Sequence, residues 1–191
     1  MLKSYMHNQV RKFAGEFGYD ADYFHELIDA APMAALKFQL FQFMAKHRDH
    51  VPADAWYAAH LAGVLCEDCG PCTQLCIDMA IKEGVAPAKM AALIRGDIEQ
   101  AGPDAALAFR YGVAVATNAD TLDLVERVKG RFGERGLISL CFSVTGARVY
   151  PSLKRGLGHG AACSRVTVRG ETIAVYHPES GVSPAFAPAG E

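Results

Sequence analysis

The sequence predicts an all-α protein carrying one small β-hairpin near its C-terminal end. Apolar residues recur at helical spacing in one stretch after another. Prolines such as Pro71 and Pro103 stand where those stretches begin, and glycines such as Gly84 and Gly96 where they end. Period-two alternation is confined to residues 165–176.

Taken in order, Leu2, Met6, Val10, Phe13 and Phe17 form one stripe of a helix over 2–17. Lys3, His7, Arg11 and Lys12 lie mostly off that stripe, which suits burial in a core. Two further helices are expected over 21–30 and 33–47. Val51-Pro-Ala-Asp54 reads as the next helix start, with Asp54 as N-cap and Trp56, Leu61, Val64 and Leu65 on the buried side. A helix over 71–83 stops at Gly84, and a short one over 87–94 stops before Gly96. The next, over 103–116, carries Leu107, Tyr111 and Val115 four residues apart. Two more are expected over 122–132 and 133–157. The second contains Leu137, Leu140, Cys141, Val144 and Arg148, and its Pro151 should kink or break it. Residues 165–176 alternate around Gly170 as a hairpin does, and the Ser, Gly, Pro and Ala content of 179–191 predicts a flexible tail. No linker divides residues 1–178, so one domain is expected.

Composition narrows the function classes. With 191 residues, 51% hydrophobic and 21% charged, the chain can bury a core and is not a long disordered protein. Its 19 basic and 21 acidic side chains leave no positive excess to neutralise phosphates, which argues against nucleic acid as a partner. Apolar runs break well before the roughly 20 residues a bilayer requires, and Met1-Leu-Lys-Ser-Tyr-Met-His-Asn shows no signal-peptide core. No membrane association is expected, and the predicted location is the cytoplasm.

Cysteine usage is the specific feature. Four of the six cysteines, Cys66, Cys69, Cys72 and Cys76, fall within eleven residues, while Cys141 and Cys163 stand alone as ordinary structural residues. In a reducing compartment such crowding points to redox or metal chemistry. Cys69-Gly-Pro-Cys72 lies at the mouth of a helix, whose free N–H groups favour a thiolate. A helix terminus contributes about 0.3–1 kcal/mol and at most about 2, or roughly 1.5 pKa units, so a thiol starting near 8.5 would be only partly ionised. The neighbouring Glu67 and Asp68 oppose ionisation, so fast attack calls for an added cation or proton acceptor. His60 is the nearest candidate, with Tyr57 one turn earlier on the same helix face.

Cys76 lies one turn after Cys72 and reads either as a third thiol or as a small core residue. The whole run also has the C-x2-C-x2-C-x3-C spacing of bacterial ferredoxins, so an iron–sulfur or zinc module on all four cysteines is an alternative. A regular helix would spread ten residues over about 15 Å, so such a site needs residues 66–72 to be irregular. Arg148, Lys154 and Arg155 read as a charged helix surface or as an anion site beside the kink, and His159 as a loop or capping residue.

Cys-Gly-Pro-Cys occurs in thioredoxin, but here no strand precedes it and no tryptophan adjoins it. The stretch Glu67-Asp-Cys-Gly-Pro-Cys-Thr-Gln-Leu-Cys-Ile-Asp-Met-Ala80, followed by Gly84-Val85 and by Arg148-Val-Tyr-Pro-Ser-Leu-Lys-Arg-Gly-Leu-Gly158, resembles instead a divergent branch of the alkylhydroperoxidase D-like and carboxymuconolactone decarboxylase superfamily. The resemblance covers residues 53–158. It implies an all-helical fold that forms homo-oligomers, often trimers or hexamers, with the dithiol near a subunit contact. It implies that Cys69 exchanges with an external dithiol and that Cys72 attacks a peroxide-like small molecule, with no cofactor expected. Family peroxidases carry a histidine where this chain has Cys76 and a glutamate where it has Tyr57. Without that relay, general-base help typically worth about 10²–10⁴ in rate is missing, whereas dithiol–disulfide exchange needs less activation. His60 is the candidate replacement, and a non-catalytic oligomeric scaffold is a further alternative.

Overall fold

In a computed structural model, described for residues 1–160 and 165–178, the protein is mostly helical with one two-stranded antiparallel hairpin. Helices α1 (Leu2–Phe17), α2 (Asp22–Ala30) and α3 (Pro32–Ala45) precede α4 (Ala53–Cys66), α5 (Gly70–Lys82), α6 (Pro87–Arg95), α7 (Pro103–Ala116) and α8 (Leu122–Gly156). Strands β1 (Arg165–Val168) and β2 (Glu171–Ala174) follow. The expected tail at 179–191 and Cys163 lie outside the described residues.

Helix α4 occupies the centre, and ten of its fourteen residues are buried. Its neighbours α7 and α8 come close because small residues face one another, Gly112 against Ala59 and Ala62, and Gly63 against Val144 and Ala147. Around this core α1, α2 and α3 build a second cluster from Met6, Val10, Tyr19, Tyr23, Ile28 and Ala35, which reaches α5 and α8 through Leu75 and Leu153. This N-terminal segment thereby meets the cysteine-bearing helix through α1 and helix α8 through α3.

Two local expectations are corrected, and a third, a kink or break at Pro151, is decided against the break. Asp54 does not cap α4, which starts at Ala53 with Pro52 as N-cap. Asp54 sits in the first turn, accepts from the Ala55 amide at 2.9 Å and pairs with Lys89, so its negative charge acts on the helix dipole. Pro151 does not break α8. The only non-helical residue within α8 is Gly133 (φ 72°, ψ 178°), where the two expected helices meet. Beyond it the backbone stays helical through Pro151, which is buried between turns anchored in the core by Ala147 and Lys154. Nor is Lys154 part of a charged surface, since it is only 1% exposed.

The hairpin turns at Arg169 and Gly170, both with positive φ, as a two-residue connection between right-twisted strands requires. It is tied to the cysteine helix by Gln74, whose amide donates to the Thr167 carbonyl at 2.9 Å and accepts from the Thr167 amide at 2.7 Å. Gln74→Ala is therefore expected to speed hydrogen exchange of the Thr167 amide by about tenfold, with α4 amides unchanged, measured by NMR.

Candidate active site

The chain leaves α4 at Cys66 and reverses through Asp68, a non-glycine residue in the left-handed region at φ 48°. This turn presents Cys69 as the N-cap of α5 with extended φ/ψ, and Pro71 fits the first turn because its missing N–H has no helical partner there. The Thr73 amide and hydroxyl both donate to the Cys69 carbonyl at 2.9 Å, fixing that turn. Cys69 and Cys72 are joined as a disulfide with Cα atoms 5.3 Å apart. They are 4% and 6% exposed and pack against Val64 of α4 and Ala147 of α8.

Opposite the disulfide stands the N-terminal segment. The Tyr19 hydroxyl lies 3.8 Å from Cys72 Sγ and 3.3 Å from the Tyr23 hydroxyl. Burial raises the pKa of both phenols, so both keep their protons at ordinary pH. Behind them Lys154 Nζ sits 5.0 Å from the Tyr19 ring centre and 5.4 Å from that of Tyr23. Its Nζ donates to the Asp20 carbonyl at 3.4 Å and lies 3.7 Å from the Asp20 carboxylate. The backbone N–H of Asp22, together with Lys154, holds the Asp20 carboxyl below its usual pKa. Aromatic faces thus supply much of the environment of a buried ammonium.

On the α4 side, Glu67 is clamped by Arg148 Nε at 2.7 Å, by the Ser152 hydroxyl at 3.2 Å and by Arg155 at 3.8 Å, while Arg155 also donates to the Glu67 carbonyl. Asp68 points outward, 3.9 Å from His177. The two carboxylates that oppose a thiolate in the sequence are therefore one neutralised and one turned to solvent.

The other residues singled out in the sequence are placed differently. Cys76 packs in the main core, apart from the small cluster holding the disulfide, and burial pushes its thiol pKa well up. Tyr57 is buried, near enough for Cys76 to influence it, and its hydroxyl donates to Glu83 at 2.9 Å while Arg48 holds the same carboxylate at 2.8 Å. Burial and the Glu83 contact raise the Tyr57 pKa. Tyr57 and Trp56 line a cavity of about 550 Å³ beneath α1, bordered by Phe13, Phe17 and Met79. His60 stacks on Trp56 with ring centres 5.2 Å apart, and its Nδ1 is sealed from solvent without a partner. Burial lowers its pKa to about 4, partly offset by the Ser143 backbone, so it is a neutral ring, and no hydrogen bond joins it to either sulfur. Among the described residues, no three His, Cys, Asp or Glu side chains are placed to hold a metal ion.

Tyr19, which meets Cys72, and Tyr23 behind it have only a weak sequence signal: two tyrosines four apart, flanking Asp20 at a break between helices. Comparison with protein-family models, curated proteins and solved structures found no match.

Proposed function

We propose that this chain is a thiol–disulfide oxidoreductase that cycles Cys69 and Cys72 between dithiol and disulfide, on an alkylhydroperoxidase D-like helical scaffold. The observation that carries the reading is the Cys69–Cys72 pair closed at the start of α5, between Asp68 on the solvent side and the buried phenols. Exchange with a dithiol reductant fits these surroundings better than peroxide reduction. The polar side chain in contact with Cys72 is the Tyr19 phenol, which keeps its proton as Tyr23 behind it does, and neither is a base. Peroxide turnover is accordingly a slow side activity. Self-association is part of the proposal. It is supported by α3, which has one charged residue in fourteen and leaves Met33, Leu40 and Phe43 exposed.

The test is a count of thiols on the full chain. Mild oxidation is expected to remove two thiols per chain and dithiothreitol to restore them, with peptide mass analysis locating the bridge at 69–72. Cys72→Ser is expected to abolish the change. An unaltered titre in the unsubstituted protein overturns the reading.

A further inference from the structure

Resting on that reading, we propose that Tyr19 is a catalytic residue for exchange. Its hydroxyl donates a hydrogen bond to the Cys72 sulfur as that sulfur leaves the disulfide, and Lys154 is the positioning residue that holds Tyr19 and Tyr23 in place and supplies the balancing positive charge.

The geometry sets the direction of the hydrogen bonds. Tyr19 has one proton to give, and its hydroxyl stands between Cys72 Sγ at 3.8 Å and the Tyr23 hydroxyl at 3.3 Å. Once Cys72 is a thiolate it only accepts, so Tyr19 donates to sulfur and Tyr23 donates to the Tyr19 oxygen. A chain of donors each polarised by the next strengthens the terminal bond. The only buried ammonium among the described residues lies against both rings, 1% exposed, paired with a mostly exposed Asp20. A cation so placed favours negative charge on the sulfur in front of the phenols.

Other charged groups lie around the disulfide, and a Tyr19→Phe substitution leaves them unchanged. Glu67 on the α4 side is matched by Arg148 and Arg155, and Asp68 faces His177. His159 beside Tyr23 is paired with Glu26 at 3.0 Å. No charged side chain of α5 precedes Asp78.

The arrangement makes the two cysteines unequal. An incoming reductant thiolate attacks Cys69 Sγ, itself 4% exposed but flanked by exposed Asp68 and half-buried Gly70, and forms a mixed disulfide while the Cys69–Cys72 bond breaks. The bonding pair leaves on Cys72 Sγ, which Tyr19 stabilises. The reductant's second thiolate then attacks its own sulfur in the mixed disulfide and releases Cys69 as thiolate. Two electrons have passed from the external dithiol to the protein, and the two protein thiolates take up protons from solvent according to pH. Because the better leaving group leaves faster, stabilising Cys72 selects Cys69 as the site of attack.

Alkylation of the reduced full chain by iodoacetamide, followed peptide by peptide across pH, tests this assignment. Tyr19→Phe removes one oxygen and keeps the ring. It is expected to raise the apparent pKa of Cys72 by about one unit and slow its alkylation near neutral pH about tenfold, with equal rates at high pH and the Cys69 profile unchanged. Lys154→Met is expected to shift Cys72 the same way. An unmoved Cys72 profile in Tyr19→Phe overturns the proposal, as does an equal shift at both cysteines, which marks a general loosening. Failure of the underlying reading is distinct: the unsubstituted protein would then show no reversible two-thiol change at all.

Discussion

Gly112→Ala is expected to lower the stability of the protein by about 1–3 kcal/mol, whereas Gly130→Ala, the same added methyl group, is expected to raise it by about 0.5–1 kcal/mol. Both glycines lie inside helices, so both substitutions improve helix propensity and restrict the unfolded chain equally. The difference lies in what the new methyl meets. At Gly112 it would stand 2.8 Å from Ala62 Cβ, 2.9 Å from the Ala59 carbonyl oxygen and 3.2 Å from Ala59 Cα. Two of those atoms are backbone and cannot rotate away, so α7 would have to move off α4, and the core that α4 shares with α5 and α8 would loosen with it. At Gly130 nothing lies within 4 Å and the position is exposed. Urea denaturation followed by the single tryptophan, Trp56 on α4, reads both variants. Shifts of the same sign would show that α4 and α7 do not approach as closely as described.

This contact also marks the boundary of what is legible in the sequence. Helical periodicity identifies each helix because most of them bury one face, and proline and glycine punctuation brings most starts and stops within a residue or two of those observed. The division of α8 at Gly133 is legible because only glycine readily adopts φ 72° with ψ 178°. The continuity of the helix through Pro151 is not, because a local rule about a missing N–H competes with core anchors on either side of it, which only the fold supplies. Asp54 illustrates the same competition on a smaller scale: its chemistry suits a cap, but Lys89, 35 residues away, engages its carboxylate inside the first turn.

At the candidate site the paired cysteines are legible because they are close in sequence, and their surroundings are not, because these come from far away. Tyr19 meets Cys72 across 53 residues. Lys154, in a sequence context of Leu153 and Arg155, has the look of a solvated helix face, and only the packing of α8 on the N-terminal cluster shows that the side chain ends between two phenol rings. The sequence directs attention to His60, Tyr57 and Cys76 because they follow the spacing of a known relay. In the fold Tyr57 and Cys76 share the far side of α4 and α5 with Glu83, and His60 turns toward Trp56 and Ser143. The charge balance likewise depends on distance. Glu67 opposes a thiolate as a neighbour in sequence, yet Arg148 and Arg155, more than 80 residues on, neutralise it.

His60 is expected to make the protein progressively less stable as pH falls from about 6.5 to about 4, by up to about 3 kcal/mol in total. Its ring stacks on Trp56 and its Nδ1 has neither solvent nor a partner, so the folded state holds it neutral with a pKa of about 4. The unfolded chain binds the proton at the ordinary value of 6.5. Above that value both states are neutral and His60 adds no pH dependence. Between the two values the unfolded state binds more protons, so stability falls with pH at about 1.4 kcal/mol per unit, and below about 4 both states are charged and the loss levels off. Lowered carboxylates act elsewhere: Asp20 and Asp49 have folded pKa values below 3.8, so their stabilisation is lost only below that range. Denaturant unfolding at half-unit intervals of pH is the measurement, with His60→Gln as the comparison, since glutamine keeps polarity and does not titrate. The variant is expected to lose this fall between pH 6.5 and 4, leaving the opposite slope of Asp78, whose carboxyl pKa burial raises above 3.8. An equally steep limb in the variant would assign the acid sensitivity to another group and remove the case for a His60 held neutral around its sealed Nδ1.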